Sequence, residues 1–113
     1  MSDQLKMSAR KPKKKKNPRL GMCYELSAKV LMEPEMRNSR VVHGSIQGFD
    51  FPRIGHAWVL LPNDMVFDPV TELKVVKEVY YAYHNAIDEK IYDYDALIEH
   101  LLEFGTYGPW HEI

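Results

Sequence analysis

An apolar segment that stops at a turn and then resumes constrains the fold of this chain more than any other feature. The first stretch runs from His56 to Leu61, the turn is Pro62-Asn63-Asp64, and the second stretch begins at Met65. Proline and asparagine favour tight turns, and short apolar stretches on both sides of such a turn are typical of a β-hairpin. The sequence therefore predicts an antiparallel sheet that contains this hairpin.

Helical periodicity flanks the hairpin on both sides. Apolar residues recur at helical spacing between Met22 and Met32, and again between Asp95 and Phe104. Ser39 to Gln47 alternates as a strand does, and Gly105 is suited to end the second helix as a C-cap. We therefore predict an α+β fold in which an N-terminal helix bearing Cys23 packs on a small antiparallel β-sheet, with a C-terminal helix.

The other stretches carry weaker patterns. Phe49 to Ile54 is predicted as a loop, and Asp93 or Asp95 is the expected N-cap of the C-terminal helix. Val75 to Tyr83 is rich in β-branched and aromatic residues, which favours one or two strands, although a helix remains an alternative. The aromatic segment 105–113 is expected to dock across the domain.

Charge is distributed unevenly along the chain. The net charge is -1, but residues 1–19 hold eight basic residues and one acidic residue, whereas the remainder holds 7 basic and 15 acidic residues. Such a basic run cannot bury apolar surface, so we predict a disordered arm at 1–19 and one domain at 20–113. The arm is either a solvated segment or a weak contact for nucleic acid or an acidic partner, made through Lys11, Lys13, Lys14, Lys15 and Lys16.

The sequence also bears on location. It holds no apolar stretch that approaches the roughly 20 residues of a membrane-spanning helix, so no membrane attachment is expected. A single cysteine agrees with a reducing compartment, and we expect a cytoplasmic protein. Nothing in the sequence indicates the oligomeric state.

Cys23 is the only cysteine, and it stands directly before the first helical run. Amide groups and the positive dipole end in the first turn of a helix stabilise a thiolate. His56 and Asp68 follow downstream, and a thiol nucleophile needs a base and a third group that orients the base. Taken alone, Cys23 also fits a buried structural thiol, so the partners carry the catalytic interpretation.

The hairpin makes this interpretation geometrically testable. If Leu61 pairs with Met65, then Trp58 lies across from Asp68, and His56 is on the same face one diagonal step away. A slip of one residue would move Asp68 to the opposite face. Trp58 shares the face of His56, where it is either a wall of the substrate channel or an ordinary core tryptophan.

With these residues in place, the chain resembles the transglutaminase-like superfamily of cysteine peptidases and acyl transferases, which have a papain-like fold. The resemblance covers roughly residues 20–72. It rests on Gly21-Met22-Cys23-Tyr24, His56-Ala57-Trp58-Val59 and Phe67-Asp68-Pro69-Val70-Thr71. Val70 departs from the Asp-Pro-Thr pattern of the family. The resemblance implies that Cys23 is the nucleophile, His56 the general base and then acid, and Asp68 the group that orients the imidazole.

The resemblance implies a cysteine-dependent hydrolase or acyl transferase that acts on a peptide or carboxamide bond through an acyl-enzyme. A peptide or protein is the expected substrate, with no cofactor, and Tyr24, Gly55 and Trp58 are the candidate substrate-binding residues. No metal site is expected, because close-set ligand pairs such as Cys-x-x-Cys are missing from the sequence. The alternative is a catalytically inactive binding module of the same fold, which the basic arm attaches to nucleic acid or an acidic partner.

Overall fold

The computed structural model describes residues 22–48 and 50–110. The basic arm, the expected start of the domain at Leu20, Phe49 and the last three residues lie outside this part of the chain. Within it are three α-helices and five strands, so the predicted α+β fold is confirmed. The elements in chain order are α1 (Cys23–Leu31), β1 (Arg40–Ile46), β2 (Ile54–Leu61), β3 (Met65–Asp68), β4 (Leu73–Val76), α2 (Lys77–His84), β5 (Ile87–Tyr92) and α3 (Tyr94–Phe104).

The five strands form one sheet in the order β4-β3-β2-β1-β5, and every neighbouring pair is antiparallel. The predicted hairpin joins β2 to β3, and its register is the expected one, with Leu61 opposite Met65. Its turn places Asn63 at φ 69° and Asp64 at φ 58°. Asparagine and aspartate tolerate this left-handed backbone better than most residues, which explains why the chain turns there.

Helices cover both faces of the sheet. On one face Val41 and Val59 pack with Leu31 of α1 and Leu97 of α3. On the other face Trp58 of β2 packs with Tyr80 of α2. The central strands β1 and β2 are therefore buried on both sides, and β2 lies at the middle of the sheet between two hydrophobic layers.

For the stretch from Val75 to Tyr83 the sequence suggested one or two strands and left a helix open, and the structure places Val79 to Tyr83 in the helix α2. Only Leu73–Val76 of this region is a strand. Tyr80 explains why this segment is helical: from α2 its ring reaches the sheet and is buried there. Tertiary packing of this kind overrides β propensity. Asn85, at φ 49°, ends the helix in the left-handed conformation.

The end of the described chain matches the prediction more closely. The Asp93 side chain accepts a hydrogen bond of 2.9 Å from the Ala96 amide and caps α3, and Gly105 at φ 70° ends it. Trp110 is buried in the cluster formed by α1, α3 and the sheet, so the expected docking of the aromatic segment is confirmed as far as this residue.

No helix within 22–48 and 50–110 combines the length and the apolar content needed to cross a membrane.

Candidate active site

Three elements bring the predicted catalytic residues together. Cys23 is the first residue of α1 and packs against Ala57 of β2, while His56 lies in β2 and Asp68 ends β3. All three predicted catalytic residues line one pocket of about 280 Å³, which we call the Cys23 cleft. Its lining comprises Cys23, Ile46, Ile54, Gly55, His56, Asp68, Val70, Thr71 and His84.

The contact between His56 and Asp68 follows from the hairpin register. The pairing of β2 with β3 ends at Val59 and Phe67, and one further step places Trp58 across from Asp68. His56 Nε2 then lies 2.9 Å from Asp68 Oδ2 in a buried hydrogen bond. Because an ionised carboxylate only accepts, Nε2 is the donor, which leaves Nδ1 as the imidazole nitrogen available to the sulfur.

Asp68 is buried, with only 2 % of its surface exposed, and its carboxylate accepts three hydrogen bonds. The Tyr80 hydroxyl donates to Oδ2 at 2.6 Å, and the Val70 amide donates to Oδ1 at 3.0 Å. Burial raises the pKa of Asp68, but the hydrogen bonds from His56 and Tyr80 and the imidazolium charge outweigh burial and lower that pKa overall. Asp68 is therefore a stable anion beneath the imidazole.

The pKa of His56 depends on two neighbours, Asp68 and Cys23, which carry or can carry negative charge. Burial lowers the pKa of its imidazole, but hydrogen bonding and charge from Asp68 and Cys23 outweigh burial and raise the pKa to about 9. The ring is thus protonated at neutral pH. A protonated imidazole within hydrogen-bonding reach of a sulfur stabilises the thiolate, and so does the N-terminal end of a helix such as α1.

Tyr80 is a site residue that sequence reasoning missed. In the sequence it is only one aromatic residue of the stretch from Val75 to Tyr83. Its hydroxyl reaches Asp68 only because α2 folds back over the sheet. No local sequence pattern predicts that this helix packs there. Burial and the charge of Asp68 raise the pKa of Tyr80, so its hydroxyl keeps the proton that it donates.

The three candidate substrate-binding residues occupy different positions. Gly55 lines the Cys23 cleft. A Cβ on Gly55 would lie 2.9 Å from the Tyr24 hydroxyl, so the missing side chain leaves room for that tyrosine. Trp58 is fully buried and its ring stacks 6.1 Å from that of His56, so it lies behind the imidazole and not on the cleft wall.

Two further histidines lie near these residues. His84, which sequence reasoning did not single out for catalysis, lines the Cys23 cleft, and burial lowers its pKa. His43 is on the strand next to that of His56, but it pairs with Ala57 and therefore faces the opposite side of the sheet. In the described part of the chain, no three histidine, cysteine, aspartate or glutamate residues are grouped so that they could hold a metal ion.

The Cys23 cleft thus joins a thiol at a helix N-terminus to an imidazole, and the imidazole to a buried carboxylate. This arrangement can activate a sulfur nucleophile and return a proton to a leaving group. Comparison of the chain with protein-family models, curated proteins and solved structures finds no match.

Proposed function

We propose that this protein is a cysteine-dependent hydrolase or acyl transferase with a transglutaminase-like core, acting on a peptide or carboxamide bond. One observation carries the proposal. His56 lies between Cys23 and Asp68 in a single cleft, with its Nε2 bonded to the carboxylate and its charge coupled to the sulfur. A structural thiol has no need of a buried acid and base in that order.

The chemistry has two halves. In the first, the Cys23 thiolate attacks the carbonyl carbon, a C–S bond forms, and the carbonyl electron pair moves to oxygen. The C–N bond then breaks as His56 gives its proton to the leaving amine, which leaves a thioester on Cys23. The backbone N–H of Cys23, at the start of α1, is the expected donor to the oxyanion.

In the second half, neutral His56 takes a proton from water or from an incoming amine as that nucleophile attacks the thioester. The C–S bond breaks, the product acid or amide leaves, and the thiolate and imidazolium are restored. Hydrolysis and transfer share every step up to the acyl-enzyme, and they differ only in which nucleophile enters the cleft. Asp68 holds the imidazole in the productive tautomer throughout.

The first test is the pH dependence of Cys23 alkylation by iodoacetamide. An ordinary thiol, with a pKa of about 8.5, reacts slowly near pH 6 because little thiolate is present. We expect wild-type Cys23 to react readily at pH 6 and the His56→Ala variant to require alkaline pH. Cys23→Ser is the blank. Superimposable profiles for wild type and His56→Ala would show that the two residues are not coupled and would overturn the proposal.

A further inference from the structure

His84 brings a second imidazole into the Cys23 cleft. It is the last residue of α2, and this helix packs on the face of the sheet that carries Trp58 and His56. A cleft of about 280 Å³ is close to the lower end of the roughly 300 to 1,000 Å³ of ligand pockets, so side chains on its walls lie near whatever fills it. The proposed chemistry gives roles to Cys23, His56 and Asp68, and it leaves His84 without one.

The position of the His84 ring is well determined. The centre of the ring lies 4.4 Å from that of Tyr80 and 5.0 Å from that of Tyr83. The backbone carbonyl of His84 accepts a hydrogen bond of 2.8 Å from the Gln47 amide, which ties the end of α2 to the chain just after β1. Because Tyr80 also donates to Asp68, the same tyrosine contacts the ring and the carboxylate of the site.

The His84 ring is a neutral hydrogen-bond donor. Burial lowers its pKa from the ordinary 6.5, so the ring is uncharged at pH 7. A neutral imidazole carries one N–H group in either tautomer. Neither ring nitrogen of His84 is hydrogen-bonded to another residue in the part of the chain that the structure describes. An N–H of this kind can polarise a carbonyl group and keep its proton.

The proposed reaction needs such a donor. When the thiolate attacks, negative charge forms on the carbonyl oxygen, and oxyanion holes commonly combine two or more donors. The backbone N–H of Cys23 accounts for one of them. Trp58 is not available as another, because it is fully buried and its Nε1 donates to the Tyr81 hydroxyl at 3.0 Å.

The lining of the cleft leaves two candidate side chains. Among its described residues, apart from the three that already have roles, only Thr71 and His84 carry an O–H or N–H group in the side chain. Thr71 is exposed in the turn between β3 and β4, whereas His84 is packed against Tyr80. A donor that is already in place stabilises the oxyanion best, since it need not reorient when the charge forms. This comparison favours His84.

We propose that His84 is a catalytic residue that donates its ring N–H to the oxyanion, together with the backbone N–H of Cys23. This inference rests on the proposed function and extends it by naming the second donor. It gives the two histidines of the cleft different tasks, because His56 transfers a proton whereas His84 keeps its own.

Two reagents test the inference, because only one of them forms an oxyanion. With p-nitrophenyl acetate, the Cys23 sulfur bonds to the carbonyl carbon and the carbonyl electron pair moves to oxygen. That pair returns as the C–O bond breaks and p-nitrophenolate leaves. With iodoacetamide, the sulfur displaces iodide at the methylene carbon, and no charge forms on the carbonyl oxygen. First-turnover release of p-nitrophenolate measures acylation, loss of free thiol measures alkylation, and Cys23→Ala is the blank.

His84→Phe keeps an aromatic ring beside Tyr80 but removes the N–H. We expect its acylation rate to fall about 100-fold, since loss of one oxyanion donor costs roughly 10²- to 10³-fold, and its alkylation rate and pH profile to equal those of wild type. His84→Ala repeats the test without a ring. Tyr83→Phe is the matched control, because Tyr83 is the neighbouring residue but 79 % exposed, and both of its rates should equal those of wild type.

Equal losses of acylation and alkylation in both His84 variants would show that His84 only supports the shape of the site, and would overturn the inference. Unchanged acylation in both variants would do the same. Thr71→Val removes the competing hydroxyl. A selective loss of acylation in this variant, with His84→Phe unaffected, would assign the donor to Thr71 and not to His84.

The outcome is separable from that of the proposed function. If alkylation depends on His56 but acylation does not depend on His84, only the second inference fails. If alkylation has the same pH profile with and without His56, the proposed function fails first. Slowing of both reactions by His56→Ala, and of acylation alone by His84→Phe, supports both.

Discussion

Asp68 shows, among single residues, how a charge is kept inside a small domain. A buried carboxylate is costly unless its oxygens accept hydrogen bonds, and Asp68 accepts three, from His56, Tyr80 and Val70. Two of these donors converge on the same oxygen, Oδ2. Tyr80 is thus a positioning residue, since it acts on the imidazole through the carboxylate and lies outside the Cys23 cleft.

Tyr80→Phe should lower the free energy of unfolding at pH 7 by about 2 kcal/mol, because it removes a hydrogen bond to a buried charge. It should also raise the pKa of Asp68, since the hydroxyl helps to keep this pKa low. The acid limb of the alkylation profile of Cys23 should therefore move to higher pH.

Urea unfolding and iodoacetamide kinetics measure the two effects of Tyr80→Phe. Tyr83→Phe is the matched control, because Tyr83 is on the same helix but 79 % exposed, and it should change stability by less than about 0.5 kcal/mol. If Tyr80→Phe reduced stability without moving the pH profile, the tyrosine would be structural only.

Among whole elements, those fixed by local sequence were predicted and those fixed by distant contacts were not. The β2–β3 hairpin carries its own turn, and with it come the register and the meeting of His56 with Asp68. α1 and α3 likewise carry their own helical periodicity, and α3 also carries its own N-cap and C-cap. α2 depends on the sheet that Tyr80 packs against, which lies elsewhere in the sequence.

β5 illustrates the same limit. Its central residues Asp88, Glu89 and Lys90 are charged and exposed, so the sequence gives no apolar pattern for a strand. It is held instead by pairing with β1, and the register shifts between His43 and Gly44. A Cβ on Gly44 would lie 2.1 Å from the Ile87 carbonyl oxygen, so this pairing needs a glycine.

Gly44→Ala should therefore separate β5 from β1 and lower the free energy of unfolding by about 3 kcal/mol, the upper range for overpacking a core. Gly48→Ala is the control, since its Cβ would meet nothing nearer than the Phe51 ring at 3.4 Å. Urea unfolding compares the two variants, and amide hydrogen exchange reports on residues 87–92. Equal stability of the two variants would contradict the packing argument.

For the molecule as a whole, two buried histidines set opposite limits on stability. His56 has its pKa raised to about 9, whereas burial and the charge of His100 lower the pKa of His43 to about 4. Both have an ordinary value of 6.5 when unfolded. Folding is favoured most where His56 is protonated and His43 is neutral.

The directions of these two pKa shifts predict that the free energy of unfolding is highest near pH 6.5 to 7. The contribution of His56 is fully present below 6.5 and is lost as the pH rises through about 9. The contribution of neutral His43 is present above 6.5 and is lost as the pH falls toward about 4. The loss of each contribution should lower the free energy of unfolding by about 3 kcal/mol.

Urea unfolding at pH 4.5, 6.5 and 9 measures the profile. His56→Gln should flatten the alkaline limb and leave the acid limb, whereas His43→Gln should do the reverse. A wild-type profile that is level from pH 4.5 to 9 would contradict the assignment of these two charge states.

The outer strands of the sheet differ in how they resist aggregation. An uncovered sheet edge is a template on which strands of other chains can pair, and both charge and shortness discourage this. β5 has three consecutive charged residues, Asp88, Glu89 and Lys90, whereas β4 has only four residues before the chain turns into α2. At the β4 edge, the shortness of the strand therefore leaves too little length for a misfolded copy to propagate a cross-chain sheet.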